Sequence, residues 1–340
     1  MKNENQFRIN TKNRTSLENV IPLDTPYVIY IDPSSVCNFR CKFCPSGEDD
    51  LIRNTTRWSG ILSMEIFKKA INDLAEFDNP IKALKLFKDG EPLLNKNLHK
   101  MVKYAKDSGL VNFIEITTNA SLLTPNMVDQ LIEAGLNRIN ISLYGMSSKD
   151  FLNFTRTGID FDKFLSNIRY LYEHRQDCKV FIKTTVGISE KSVKEKFLKI
   201  FTPICDFINV ENISPFWPGY EFQDRYDIKL NTDEGTFGSV LEEKAVCPYL
   251  FYALPINSDG SVDQCSCDWR HDFLIGNVKK QSLKEIWNSK KLFDLRMLHL
   301  QGRRKEHSLC KNCNEISYES IDNIDNYTKK IAKKLCKQRN

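Results

Sequence analysis

The 340-residue sequence has no apolar run long enough to cross a bilayer, and its polar start, Met1 to Thr15, lacks the apolar core of a secretory signal. A membrane span and an export signal are therefore not expected, and the cytoplasm is the expected compartment. A large charge excess is missing too: 49 Lys and Arg against 44 Asp and Glu leave +5 at pH 7. That is modest for this length, so neither nucleic acid nor membrane is expected as the main partner. A hydrophobic fraction of 41% and a charged fraction of 27% are those of an ordinary globular chain. Cysteine is not scarce. There are 11, an odd number that cannot all pair, and clustered cysteines in a reducing compartment more often bind metal than form disulfides.

Three of them stand in Cys37-Asn38-Phe39-Arg40-Cys41-Lys42-Phe43-Cys44, directly after the apolar run Tyr27 to Ile31, which reads as a buried strand. Three thiolates so close can share one soft metal centre and leave one coordination position of a four-iron cluster free. With a distant fourth ligand they could instead hold a structural zinc. The following stretch, Pro45 to Ser63, is rich in Gly, Asp, Asn and Thr and reads either as a loop beside the metal or as a plain surface insertion.

Helical and strand periods then alternate: helices Met64–Phe77, Asn97–Ala105, Pro125–Glu133, Phe161–Tyr172 and Val193–Phe201, and strands Ile81–Phe87, Phe113–Thr118, Arg138–Tyr144, Val180–Val186 and Phe207–Ile213. With the first strand this is an α/β pattern of six β-α units, hence a parallel sheet wound into a partial (β/α)6 TIM-like barrel. Active sites of parallel barrels lie at the carboxyl ends of the strands. The cysteines follow the first strand there, Asp89-Gly90-Glu91-Pro92 the second, Thr117-Thr118-Asn119-Ala120 the third and Ser142-Leu143-Tyr144-Gly145 the fourth, so all four open onto one face.

The C-x-x-x-C-x-x-C spacing, with Phe43 before the last cysteine, resembles the radical S-adenosylmethionine (radical SAM) enzymes. The resemblance covers about Val28 to Pro215. It implies that Cys37, Cys41 and Cys44 hold a [4Fe–4S] cluster whose fourth iron is chelated by SAM, with Phe43 near the adenine. Gly90, Glu91 and Pro92 match the family's Gly-Gly-Glu-Pro, which meets the SAM amino group; Asp89 departs from it. Asn119 is implied as a pocket residue, and Ser142 matches a position that binds the SAM ribose or carboxylate. Arg156, in the loop after the fourth strand, could grip a carboxylate or simply be solvated, and Lys183 and Glu211 lie within the fifth and sixth strands.

From Ser214 to Ala245 the alternation stops in a Pro, Trp and Tyr-rich linker that could reach over the barrel mouth. Cys247, Cys265, Cys267, Cys310 and Cys313 follow, arranged around a hairpin turn at Asn257-Ser258-Asp259-Gly260, an irregular Gly276–Val278 and a helical Leu283–Leu298. Four thiolates complete a [4Fe–4S] cluster or a zinc site equally well. The stretch Val246 to Glu315 resembles the SPASM or shorter twitch extensions of radical SAM enzymes. It has too few cysteines for two clusters, which implies one auxiliary [4Fe–4S] cluster on Cys247, Cys265, Cys310 and Cys313, with Cys267 as the alternative to Cys265. The expected organisation is an arm (1–26), a radical SAM core (27–215), a linker (216–245), a SPASM/twitch iron–sulfur domain (246–316) and a basic tail (317–340). Cys178 and Cys205 read as core residues, and the tail with Cys336 as a solvated terminal helix.

The resemblance implies reductive cleavage of SAM to a 5′-deoxyadenosyl radical that takes a substrate hydrogen, fed by a reducing donor such as flavodoxin or ferredoxin. A fully ligated auxiliary cluster suits electron transfer, so the expected reaction is oxidation of a secondary alcohol of a sugar or aminocyclitol. Arg156, Lys183 and Glu211 are candidate proton acceptors. The same architecture also modifies ribosomal peptides; a lead-in of about 26 residues is short for a precursor-recognition domain. A zinc-stabilised binding protein is the non-enzymatic alternative.

Overall fold

The computed structural model describes residues 14–185, 191–215, 217–230 and 233–339. Among the described residues nine strands form one sheet: β1 (Val28–Ile31), β2 (Ala83–Lys85), β3 (Ile114–Thr118), β4 (Arg138–Leu143), β5 (Lys179–Thr184), β6 (Phe207–Val210), β7 (Ala253–Ile256), β8 (Ser261–Asp263) and β9 (Leu274–Asn277). Their order is β6-β5-β4-β3-β2-β1-β7-β8-β9. Pairing is parallel from β6 to β7, and only the β7-β8-β9 meander is antiparallel. The mostly parallel sheet is a partial TIM-like barrel.

Alternation along the strands sets the layers. Ile29, Leu84, Ile116, Ile141 and Ile182 are buried beneath the helices Met64–Asn72, Leu98–Asp107, Pro125–Glu133 and Phe161–His174, whose apolar faces join the same continuous core. Tyr30, Lys85, Thr117, Ser142 and Lys183 alternate with them, and Tyr30, Thr117, Ser142 and Lys183 line the interior cavity. Ser63, Thr124 and Asp160 cap helix starts by accepting the amides of Ile66, Met127 and Lys163.

Several expectations need correction. The strand expected to run to Phe87 shrinks to three residues, and the expected strand end at Val186 lies outside the described residues, as do Met1 to Asn13 and Phe216. The single helix expected over Leu283–Leu298 is two, Leu283–Trp287 and Lys290–Leu300, because Ser289 caps the second. The hairpin does not fold apart from the barrel: β7, buried along its whole length, lies parallel to β1 with Val28 opposite Ala253. The tail helix Thr328–Arg339 is not simply solvated, since Ile331 and Leu335 are buried in the core. Cys178 and Cys205 are buried as read. Of the arm, Leu17 and Ile21 are core residues, and the Leu23 carbonyl accepts Trp287 Nε1–H at 2.9 Å.

Candidate active site

The loops after β1 to β6 surround a cavity of about 310 Å³. Cys37, Cys41 and Cys44 line one side, with Phe39, Phe43 and Tyr144. The cysteine loop is closed by its own backbone, Cys44 N–H bonding Cys41 O at 3.2 Å and Gly47 N–H bonding Cys44 O at 2.9 Å. Burial pushes the Cys37 thiol up to about 12, with Glu91 adding to it. Cys41 is raised by burial and by its neighbours Cys44 and Cys37. Crowded, desolvated thiols of this kind are held as thiolates only by a positive centre among them, which the donor chemistry of an iron–sulfur cluster fits.

Gly90 is packed so tightly that a Cβ would lie 2.2 Å from Val36 O and 2.3 Å from Ser34 O. This holds the backbone of Asp89 to Glu91 against the cavity. Glu91 accepts the Thr118 hydroxyl at 2.5 Å, the Asn119 amide at 2.8 Å and the Leu93 amide at 3.0 Å, and burial raises its carboxyl to about 7. Pro92 opens the short helical turn that Glu91 caps. The Asn119 side chain donates to Asn38 Oδ1 at 2.9 Å and approaches Cys37 Sγ at 4.0 Å. Ser142 lines the same cavity.

The stretch Pro45 to Ser63 is not a plain insertion. Its Arg57, 7% exposed, donates to Ser35 O and to Ser46 Oγ, and Ser35 Oγ accepts the Gly60 amide. Arg156 is corrected as a catalytic candidate: it does not line the cavity. Its guanidinium binds Glu48 at 2.8 Å, Gly47 O at 2.6 Å, Arg40 O at 2.7 Å and the Tyr226 hydroxyl at 2.7 Å, so this solvent-reached arginine is not a free fork. Glu48, 3% exposed, also pairs with Arg225 at 3.0 Å, and thereby fastens the 217–230 segment over the cysteine loop. Lys183 and Glu211 do face the cavity, Nζ 2.8 Å from Oε2, and Glu211 Oε1 is buried with no hydrogen-bond partner among the described residues.

Cys247, Cys265, Cys310 and Cys313 gather around a second, small cavity. Burial and then one another raise Cys247 and Cys265 well above the ordinary thiol range, so the donor set again fits a cluster. Cys267 turns the other way: it lines the main cavity, its Sγ on the Glu315 carboxyl. Cys37, Cys41 and Cys44 thus line the main cavity, and Cys247, Cys265, Cys310 and Cys313 the smaller one, with Ser266 and Glu315 on the wall of both. Residues that the sequence reading passed over are Tyr144, whose ring lies 5.5 Å from Phe43, the lining residues Lys88, Trp217, Glu315 and Glu319, and buried Arg57. Tyr144 carried a signal as part of the fourth strand-end motif, and Trp217 as part of the linker expected over the barrel mouth.

Residues 31–198 match the radical SAM superfamily, and residues 247–314 match the iron–sulfur cluster-binding domain SPASM. The AdoMet-dependent heme synthase of Methanosarcina barkeri is 28% identical over 51% of this chain and 45% of its own length. The GTP 3′,8-cyclase of Desulforamulus reducens is 27% identical over 66% of this chain and 69% of its own. The match thus spans less than half of the first relative. Among solved structures, BtrN in complex with AdoMet and 2-DOIA superposes with a TM-score of 0.55 at 19% identity, covering 88% of this chain and 97% of that one. Native anSMEcpe with bound AdoMet gives 0.58 at 17%, covering 92% and 98%. Streptococcus suis SuiB bound to precursor peptide SuiA gives 0.57 at 16%, covering 91% and 74%. At these identities the likeness is one of fold.

Proposed function

The chain belongs to the radical SAM superfamily and carries a SPASM iron–sulfur domain, and on that premise we propose that it oxidises a secondary alcohol of a small polar substrate, a sugar or aminocyclitol, to the ketone. Its cofactors are a SAM-binding [4Fe–4S] cluster, an auxiliary [4Fe–4S] cluster and SAM. When bound, they supply a carbon radical able to take a hydrogen atom and an acceptor for one electron. In this reading Cys37, Cys41 and Cys44 hold the first cluster and Cys247, Cys265, Cys310 and Cys313 the second. Glu91, Asn119, Ser142 and Phe43 meet SAM.

The observation that carries the reading is Glu211. Its Oε2 is held by Lys183, and its unpartnered Oε1 needs a donor, which a substrate hydroxyl provides. Loss of the carbinol hydrogen atom, of the hydroxyl proton to Glu211 and of one electron makes a balanced two-electron oxidation. Hydroxyl and carboxyl groups elsewhere on the wall, from Ser214, Thr236, Ser266 and Glu319, suit a polyhydroxylated or amino substrate. The other reading is modification of a ribosomal peptide, supported by the fold likeness to SuiB, which was solved with a peptide.

The test is anaerobic reconstitution, chemical or flavodoxin reduction, and incubation with carbinol-deuterated sugars and aminocyclitols, with peptides in parallel. Deuterium in 5′-deoxyadenosine together with a ketone product is expected. Turnover of peptides alone would select the second reading, and a protein that takes up zinc but no iron would overturn both.

A further inference from the structure

Between the two cysteine sets lies a buried charge network that the proposed reaction does not use. Asp89 Oδ2 accepts Lys88 Nζ at 2.8 Å and lies 2.8 Å from His271 Nε2; Lys88 Nζ also lies 3.0 Å from Asp263 Oδ2. These side chains are between 0% and 3% exposed. Lys88 and Asp89 come from the loop after β2, and Asp263 and His271 from the segment that contains Cys265. The Asp89 backbone meanwhile stays on the cavity side: its N–H reaches Asp32 Oδ1 at 3.3 Å and its carbonyl accepts Ser46 Oγ–H at 2.6 Å. Asp32 in turn accepts the Ser258 hydroxyl of the hairpin at 2.8 Å. One residue therefore presents its backbone to the chamber at the Gly90-Glu91 loop and its carboxylate to the auxiliary cysteine segment.

Buried charges are costly unless paired, and a paired buried set tolerates few alternative arrangements. We propose that Asp89 is a positioning residue that latches the 263–271 segment to the Gly90-Glu91 loop and so sets the distance and orientation between the two cluster sites. This rests on the two-cluster reading above. The latch predicts that loosening Asp89 uncouples the sites without emptying them.

Pulsed dipolar EPR on the reconstituted, reduced enzyme measures the separation of the clusters in the wild type, Asp89→Asn and His271→Gln. A single narrow distance is expected in the wild type. Both variants should broaden or displace it while iron stays at about eight per chain, and product formed per SAM cleaved should fall by about tenfold. Distance and ratio unchanged in both variants would overturn the latch. If Asp89→Asn does not fold, His271→Gln, on the opposite side of the same contact, decides. A wild type with one cluster would defeat the two-cluster reading instead. Amide exchange over 263–271 would then judge the latch, quickening in Asp89→Asn if it exists and unchanged if it does not.

Discussion

Glu91, in the loop after β2, accepts the hydroxyl of Thr118 at the end of β3, which ties two strand-end loops together beside the cysteines. Burial raises the Glu91 carboxyl to about 7. On the proposed reading, in which Glu91 meets the SAM amino group, the ionised carboxylate is the better acceptor, so wild-type affinity should fall as pH drops through 7. Between pH 8 and pH 6 the ionised fraction drops about tenfold. Titration calorimetry should show SAM affinity falling more steeply in the wild type than in Glu91→Gln, by about one proton. Equal slopes would remove Glu91 from the SAM site.

Gly90→Ala places a methyl into two backbone carbonyls that cannot retreat like a side-chain end. A loss of about 2–3 kcal/mol is expected, read from denaturant midpoints, together with loss of SAM binding. A variant as stable as the wild type would show that the loop relaxes.

Glu48→Ala should leave the partly exposed Arg156 and Arg225 without their shared carboxylate and cost about 1 kcal/mol. Limited proteolysis should then nick the 217–230 segment. Arg156→Lys should recover little, because a single ammonium cannot reach Glu48, Gly47 O and Arg40 O together. Resistance to proteolysis in Glu48→Ala would count against the fastening.

Cys265→Ala should lower iron from about eight to about four per chain, whereas Cys267→Ala should leave it at about eight. Iron and sulfide analysis after reconstitution distinguishes them. The reverse pattern would mean that the 265–267 turn inverts on cluster binding.

Lys183→Met and Glu211→Gln should keep SAM cleavage but reduce product by about a hundredfold, in the range of a lost proton acceptor. Chromatographic quantitation of 5′-deoxyadenosine and product separates the two effects. Equal loss of both would mark the pair as structural.

Order along the chain was legible because it is local. Strand periods, the Cys37–Cys44 spacing, Gly90-Glu91-Pro92 and Ser142 each depend on residues a few positions apart, and the parallel β-α rule then puts the strand ends on one face. The lengths of β2 and β6 were not legible, because apolar residues at a strand end serve a loop equally well. Nor was the split at Asn288-Ser289, where a capping serine interrupts a pattern that stays helical on both sides.

By itself the sequence determined the cysteine sets, the alternating elements and the superfamily, since each is written in spacing and period. Tertiary structure alone decided that β7 joins β1, that Arg156 clamps Glu48 rather than entering the chamber, that Lys183 and Glu211 meet, and that Cys265 and Cys267 face different cavities. These depend on which way a side chain turns and on partners far along the chain, as Asp89 and His271 also are, 182 positions apart. No local period encodes a contact made only when the chain folds back on itself.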